Sequence, residues 1–449
     1  MCIITIVVRS KKDKDAIEAV VRTFYRGWSL LEVRTLHGAR RPEQAREEIN
    51  SMIEQDPNRY YIVLLGREDE ELMKLDKEYP DNILFKNVGK AKVRNARKRR
   101  LYASIERGKA RVRTEIRWYE ERKAYRAGKG RGQSLCPDDN PVYDLYLAMG
   151  KHHQEVIGKK MGIELNDPPL IIKKTEGIHE VFCGEVRLGV LKIPDEGLVT
   201  AKREVDKVEY ELDIKEMVKW NCEEGPLKIH ERISLELLRK VKEDYEYDVV
   251  IIPWSGGKDS TATLVLALKV FGQEVVPIFV DTGLEFEDVY HYIDKVAELL
   301  GVRYEVAQAH IDKAWAERGY ELPTRENRWC TKLKIAALYR KMDEIADKPL
   351  IVVGDRDTES LLRLKRPPIR WHEGRLQVAP IKMWSALHVQ LYLLAHGIPL
   401  NPMYEFGFYR IGCYMCPAFR SWELDLAEEY FNLGAGLKKV FNSPMSISR

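Results

Sequence analysis

The 449-residue chain has no run of about 18 uninterrupted apolar residues, so it offers no helical membrane span. Its first residues, MCIITIVVRS, lack a basic leader and read as an opening strand rather than an export signal. Cysteine is sparse. Seven are scattered, an odd number without the spacing of a secreted disulfide scaffold, so the expectation is a cytoplasmic protein with thiols free or on metal. Internal repeats are missing, and so are low-complexity tracts beyond one basic stretch. What is present is 45% hydrophobic and 32% charged, which excludes wholesale disorder. The length suits about two to four domains with at least one sizeable core.

Acidic residues are nearly absent from one stretch. Residues 90–131 hold 17 Lys/Arg against 4 Glu, a local +13 that leaves the rest of this +4 chain near −9. Few helix breakers occur before Gly128, so the stretch is expected to be largely helical. Its charge suits tRNA or another polyanion, with Tyr102, Trp118, Tyr119 and Tyr125 available for stacking. A connector helix packed on an acidic part of the same chain fits the charge equally, and charge alone leaves both open.

Periodicity divides the chain into five segments. Residues 1–88 alternate strand and helix as a small α/β domain with no phosphate-loop glycines. Residues 89–135 are the basic helical segment, and 136–245 a mixed α+β accessory region whose β-rich part would suit a small RNA-binding module. His152 and His153 in that region are adjacent, point about 100° apart on a helix, and read as surface residues rather than a metal pair. Residues 246–421 form an α/β domain in which continuous apolar strands alternate with helices, the pattern of a doubly wound parallel sheet. Residues 422–449 are a C-terminal tail.

Ligands of such sheets sit at the carboxyl ends of strands, which is where Ser255-Gly256-Gly257-Lys258-Asp259-Ser260 and Asp281-Thr282-Gly283 fall. Glycines at a strand-to-helix turn let successive N–H groups face an anion, and the following helix adds its positive end. Ser255 and Ser260 supply hydroxyls, Lys258 a full charge, and Asp259 a carboxylate that holds Mg2+ or orients the loop. The spacing is not that of a Walker A loop.

Ser-Gly-Gly-Lys-Asp-Ser resembles the PP-loop of the N-type ATP pyrophosphatases, which bind ATP and cleave it between the α- and β-phosphates. VDTGLEF, RWCTKLKI, GDRDTESLLR and PIKMWSALHVQLYLLAHGIPLNPMYEFGFYRIGCYMCP follow in an order similar to the 3′-phosphoadenosine 5′-phosphosulfate (PAPS) reductase family, over roughly residues 245–420. The resemblance is greatest to archaeal multidomain PAPS-reductase-like proteins. It implies a HUP-like α/β fold, with Ser255, Gly256, Gly257, Asp259 and Ser260 on the phosphates and Asp281, Thr282 and Gly283 beside adenine and ribose. Gly354, Arg356, Glu359, Ser360 and Arg363 match a Gly-x-Arg-x-x-Glu-Ser-x-x-Arg segment, in which Arg356 and Arg363 suit an oxyanion and would join Lys258 and Asp259 as catalytic groups. Pairing with Asp355 or Glu359 is the alternative use of these two arginines. The family often has Phe-x-Glu-Thr-x-x-Tyr after the second loop; Phe286 and Tyr292 fit, but Asp288 and Val289 replace the Glu and Thr.

Cys413 and Cys416 form a C-x-x-C, and Cys330 lies where relatives often carry Cys-Cys. Three thiolates would leave one iron of a four-iron four-sulfur (4Fe–4S) cluster open, whereas zinc would need a fourth donor. The expected activity is ATP-dependent adenylation of an acceptor, with Mg2+, for sulfur transfer and with tRNA as a candidate acceptor. Reduction of PAPS or adenylyl sulfate is the alternative within the family. Against it, reductases usually lack the Lys-Asp pair of the loop and carry a C-terminal Glu-Cys-Gly-Leu-His that is not found here. A non-catalytic RNA-binding protein with a vestigial nucleotide pocket is the reading from another class.

Overall fold

The computed structural model describes residues 3–29 and 31–431. In chain order, β1 (Ile4–Val8), α1 (Lys11–Phe24), β2 (Leu31–Thr35), α2 (Pro42–Gln55), β3 (Tyr60–Leu65), α3 (Glu70–Met73) and β4 (Ile83–Asn87) open the chain. They form a parallel sheet of order β2-β1-β3-β4. β1 and β3 are buried along their whole length, as strands covered on both faces must be. β4 closes the sheet within the 1–88 segment that the sequence pattern reads as a small α/β domain.

The basic stretch follows as α4 (Lys98–Thr114), then β5 (Arg117–Tyr119) and β6 (Ala124–Arg126). It is therefore helical only in its first half. Trp118 pairs with Tyr125 across an antiparallel hairpin that turns at Lys123, φ +47°. Part of the charge is spent inside, while Arg97, Lys98, Arg99 and Arg100 face solvent. Lys109 lies 3.0 Å from Glu106 and 3.5 Å from Asp357. Arg111 meets Asp76 at 2.7 Å and Glu115 at 2.6 Å. Of the four aromatics, Tyr125 is fully buried and Tyr102 stacks on Phe24.

β7 (Asp144–Leu147), α5 (Lys151–Met161), β8 (Leu170–Lys173), β9 (Ile178–Cys183), β10 (Val186–Lys192) and β11 (Thr200–Arg203) come next, with β8 to β11 forming an antiparallel meander. His153 is buried rather than on the surface, wedged between Tyr146 and Trp422, and burial pushes its pKa down to about 4. His152 is half-buried.

α6 (Ile214–Cys222) and α7 (Pro226–Asp244) lead into β12 (Val249–Pro253), α8 (Lys258–Phe271), β13 (Val275–Asp281), α9 (Glu287–Leu300), β14 (Glu305–Gln308), α10 (Ile311–Glu317), α11 (Trp329–Ile345) and β15 (Pro349–Val352). The strands pair in parallel in the order β14-β13-β12-β15. The direction of winding reverses between β12 and β15, which makes the end of β12 a switch point where ligands bind in sheets of this kind. α8 is apolar nearly all round and is buried accordingly. The chain closes with α12 (Leu361–Lys365), β16 (Ile369–His372), β17 (Arg375–Val378), α13 (Ala386–Ala395), α14 (Pro402–Glu405) and α15 (Ser421–Phe431).

Contacts divide the chain into two compact units that cut across the five segments. One holds residues up to Leu145, Asp213–Tyr245 and Gly354–Tyr392; the other holds Tyr146–Leu212, Glu246–Val353 and the residues from Leu393 on. Buried ion pairs explain why 354–392 joins the first unit. Asp357, fully buried, is shared by Lys382 at 2.7 Å, Lys109 at 3.5 Å and Arg113 at 3.7 Å. Burial alone would raise its pKa, but these three cations hold it below the usual carboxylate range.

Candidate nucleotide site

In the second unit, the apolar strand β12 delivers the chain to Trp254, which is buried and donates its indole N–H to Thr261 Oγ1 at 3.0 Å. Gly256 turns with φ +70°, and a Cβ there would stand 3.2 Å from Ile293 Cδ1, so both backbone conformation and space favour glycine. Gly257 is the N-cap of α8 without a side-chain cap, which leaves helix N–H groups facing the loop. The loop is braced from within. Ser260 Oγ donates to the Gly257 carbonyl at 3.0 Å, and the Ser255 and Gly257 N–H groups donate to Ser260 Oγ (3.3 Å) and Ser255 Oγ (3.4 Å).

Lys258 is 5% exposed, and its ammonium lies 3.0 Å from Asp259. It also lies over the rings of Tyr404 (4.9 Å) and Tyr409 (5.6 Å). The carboxylate and two π faces hold a desolvated cation at the mouth of the helix. Tyr404 Oη accepts the Lys258 backbone N–H at 3.1 Å, and Asn401 Nδ2 donates to the Gly256 carbonyl at 3.2 Å. Sequence reasoning assigned no role to Asn401, Tyr404 or Tyr409. Their only signal was the matched run NPMYEFGFYR, which has no loop-like chemistry of its own.

At the end of β13, Asp281 organises the second loop. Its carboxylate accepts from the Gly283 N–H (2.9 Å), Tyr290 Oη (2.7 Å) and Gln308 Nε2 (3.0 Å). Thr282 is buried and donates to Glu285 at 2.9 Å. Gly283 has φ +74°, and a Cβ there would stand 2.7 Å from the Asp312 carboxylate. A cavity of about 210 Å³ lies between the two strand ends, walled by Trp254 and Ser255, Phe279 and Val280, and Lys334 and Ile335 of α11 among others. It is apolar with one charged end, the Lys334–Glu285 pair at 3.5 Å, and this suits a flat heterocycle beside a phosphate loop.

Cys330, Cys413 and Cys416 come together at this end. Cys330 and Cys413 are buried in one apolar cluster that Cys416 packs against, and the Cys416 N–H donates to the Cys413 carbonyl at 3.0 Å. Burial pulls the Lys334 ammonium down, but Glu285 and then the three thiols push it above its ordinary value. Burial pushes the Cys413 thiol up to about 12. Among the described residues, no three His, Cys, Asp or Glu side chains are drawn close enough to hold a metal ion. The donor set, three thiols around one ammonium, is chemically that of a thiolate-ligated site; the described side chains pack as a core. Cys136, Cys183 and Cys222 are apart from it, and Cys2 lies outside the described residues.

Arg356 and Arg363 belong to the first unit. Arg356 is 1% exposed, with Nη1 2.8 Å from Asp144 and 2.9 Å from Thr358 Oγ1. Glu359 accepts the Arg356 backbone N–H at 2.9 Å, and Ser360 caps α12 by accepting the Arg363 N–H at 3.1 Å. Arg363 itself pairs with Glu359 and, at 3.4 Å, with Asp355. The Gly354–Arg363 segment is thus a tightly self-bonded turn whose arginines already have carboxylate partners.

The family description that matches is the phosphoadenosine phosphosulfate reductase domain, over residues 249–419. The match is confined to this stretch and leaves the first 248 residues outside it. Across 268 residues the chain is 34% identical to the uncharacterized protein MJ0066 of Methanocaldococcus jannaschii, covering 58% of this chain and 54% of that one. It is 29% identical to a phosphoadenosine 5′-phosphosulfate reductase of Baumannia cicadellinicola over 161 residues, 34% of this chain and 64% of the relative. The chain thus spans about half to two thirds of the length of these relatives. Among solved structures, the PAPS reductase of Candida auris in its phosphate complex covers 41% of this chain and 89% of its own, with 19% identity and a TM-score of 0.34. The matched stretch, residues 249–419, contains both glycine loops, all three clustered cysteines and both motif arginines.

Proposed function

We propose that the protein uses ATP to adenylate an acceptor oxygen for sulfur transfer, with RNA as the acceptor. The observation that carries the reading is the Lys258–Asp259 pair at the mouth of α8, held against Tyr404 and Tyr409. A PAPS-type nucleotide has no pyrophosphate to release, whereas a buried cation beside a row of backbone N–H groups suits a departing pyrophosphate. The acceptor oxygen attacks the α-phosphorus, the bond from that phosphorus to the bridging oxygen breaks, and pyrophosphate leaves. A sulfide-class nucleophile then attacks the activated carbon, and AMP departs with the acceptor oxygen, so the exchange of oxygen for sulfur is redox-neutral.

Within the chain, Ser255, Gly256, Gly257 and Ser260 supply the phosphate cradle, Lys258 the charge, and Asp259 its orientation and an oxygen for the Mg2+ that accompanies ATP. Residues 281–283 shape the wall proposed for adenine and ribose. Arg356 and Arg363 stay in this reading as oxyanion groups only if they exchange the carboxylates they now hold. Cys330, Cys413 and Cys416 are the residues that would hold a 4Fe–4S cluster, which would supply an open iron for sulfide.

The names of the relatives favour a second reading, reduction of PAPS. Exchange of labelled pyrophosphate into ATP separates the two. Exchange is expected when total tRNA supplies the acceptor oxygen and not in its absence, because the step that releases pyrophosphate forms the adenylated acceptor. No exchange under any condition, together with sulfite release from PAPS and a thiol donor, would establish the second reading and overturn the first.

A further inference from the structure

The β-rich part of the accessory region meets the phosphate loop at one ring. β8 ends at Lys173, which lies opposite His179 in the β8–β9 ladder, while Ile172 lies opposite Glu180. Side chains alternate along a strand, so Lys173 and His179 share a face. The contacts agree. Lys174 turns the other way and pairs with Glu180 at 2.9 Å. Burial pushes the His179 imidazole down to about 3, and the nearby Lys173 charge adds to the effect. The Lys173 ammonium itself lies 4.0 Å from the centre of the Tyr409 ring. Tyr409 is also one of the two rings under Lys258, at 5.6 Å. Each cation is drawn to that ring, yet the two repel across no more than about 10 Å, within one Debye length at about 0.1 M salt. An anion shared between them relieves the repulsion, and the loop beside Lys258 is built to hold one.

Packing fixes this meeting. Tyr146 packs on Tyr409 with ring centres 5.2 Å apart, and His152 Nδ1 lies 3.1 Å from the Phe406 carbonyl. A Cβ on Gly150 would stand 2.4 Å from the Glu405 Cβ, so glycine is what lets the start of α5 approach α14. The accessory region therefore presses directly on the 404–409 stretch that holds Tyr404 and Tyr409 against Lys258. All of these residues belong to the second unit. Lys173, Tyr146 and Gly150 lie outside residues 249–419, so the reductase-type match carries no expectation for them.

We propose that Lys173 is a further phosphate-binding residue of the nucleotide site, taking the terminal phosphate of ATP while Tyr409 spaces it from Lys258. Lys258 serves the phosphates at the mouth of α8, and Lys173 serves the end of the chain beyond them. The inference rests on the ATP reading of the loop and deepens it. It makes the β8–β11 meander a wall of the nucleotide pocket, and it names a group that tells a triphosphate from a monophosphate. A nucleoside monophosphate ends before it reaches Lys173.

The test is titration calorimetry of the full chain with ATP and Mg2+, and separately with AMP, without tRNA so that no acceptor consumes the nucleotide. Lys173→Met keeps most of the stem and removes the charge. It should weaken ATP binding about 10- to 100-fold, the range for one lost hydrogen bond to a charged group, and leave AMP binding unchanged. Lys173→Arg keeps the charge and should restore most of the loss. Lys174→Met removes an equal charge one residue away, on the Glu180 side, and should leave ATP binding unchanged. Unchanged ATP affinity in Lys173→Met would overturn the proposal. So would an equal loss for AMP, or an equal loss in Lys174→Met. Circular dichroism melting checks the fold of each variant, and Lys173→Gln repeats the measurement should the methionine disturb the strand. Tight ATP binding that is indifferent to Lys173 overturns this inference alone. Unaltered protein that binds ATP no tighter than AMP overturns the ATP reading of the loop and the inference with it.

Discussion

Arg356 poses the sharpest structural question, because its guanidinium is 1% exposed and already holds a buried carboxylate. Arg356 and Asp144 are 1% and 0% exposed as side chains and 2.8 Å apart. At that distance an effective dielectric of about 20 gives an attraction of about 6 kcal/mol, most of which the desolvation of both groups takes back. Removing one partner leaves the other charge buried, at a cost of about 3–5 kcal/mol. Asp144 also accepts the backbone N–H of Ala386 at 2.8 Å, so its loss would loosen the start of α13 as well. Arg356→Met and Asp144→Asn should each lower the urea midpoint followed by far-UV circular dichroism. The double variant should lose roughly 3 kcal/mol less than the two singles together, because neither charge is then stranded. Full stability in Arg356→Met, accompanied by a large loss of pyrophosphate exchange, would refute the architectural role and return Arg356 to the substrate.

Lys258→Met should lower the rate of pyrophosphate exchange by roughly 10²–10³-fold, read from initial rates at saturating ATP. Gly256→Ala forces a Cβ into φ +70° and to 3.2 Å from Ile293. Strain of about 1–2 kcal/mol should lower the melting temperature and weaken ATP binding by calorimetry. His388 is fully buried, and burial pushes its pKa down to about 4 against 6.5 for the free side chain. The unfolded chain takes up the proton first, so its stability contribution is intact above about pH 6.5 and is lost as pH falls toward 4, at about 1.4 kcal/mol per pH unit; His388→Asn should flatten that part of the acid-denaturation curve. Cys413→Ser should abolish any iron and sulfide that co-purify anaerobically with the protein, whereas Cys136→Ser should not.

Much of the second unit was legible because its signals are local. Glycines 256 and 257 between an apolar strand and an apolar helix describe their own geometry, and the alternation after Tyr247 describes a parallel sheet. Asn401, Tyr404 and Tyr409 were not legible, since they reach the loop only after about 150 residues of chain fold back. The helical reading of residues 90–131 failed past Glu115 because cross-strand packing of Trp118 on Tyr125 overrides a pattern without breakers. The expectation for His153 failed because adjacency in sequence says where two side chains point, not what packs over them.

Local chemistry in the sequence determined the class of sheet, the phosphate-type loop and the grouping of cysteines worth following. Only the tertiary structure decided how charge is spent. A count of lysines and arginines cannot distinguish Lys109, fully buried between Glu106 and Asp357, from Arg97 in solvent. The physical reason is that ion pairing and desolvation depend on distances of a few ångströms between segments hundreds of residues apart, and those distances exist only after the chain has folded.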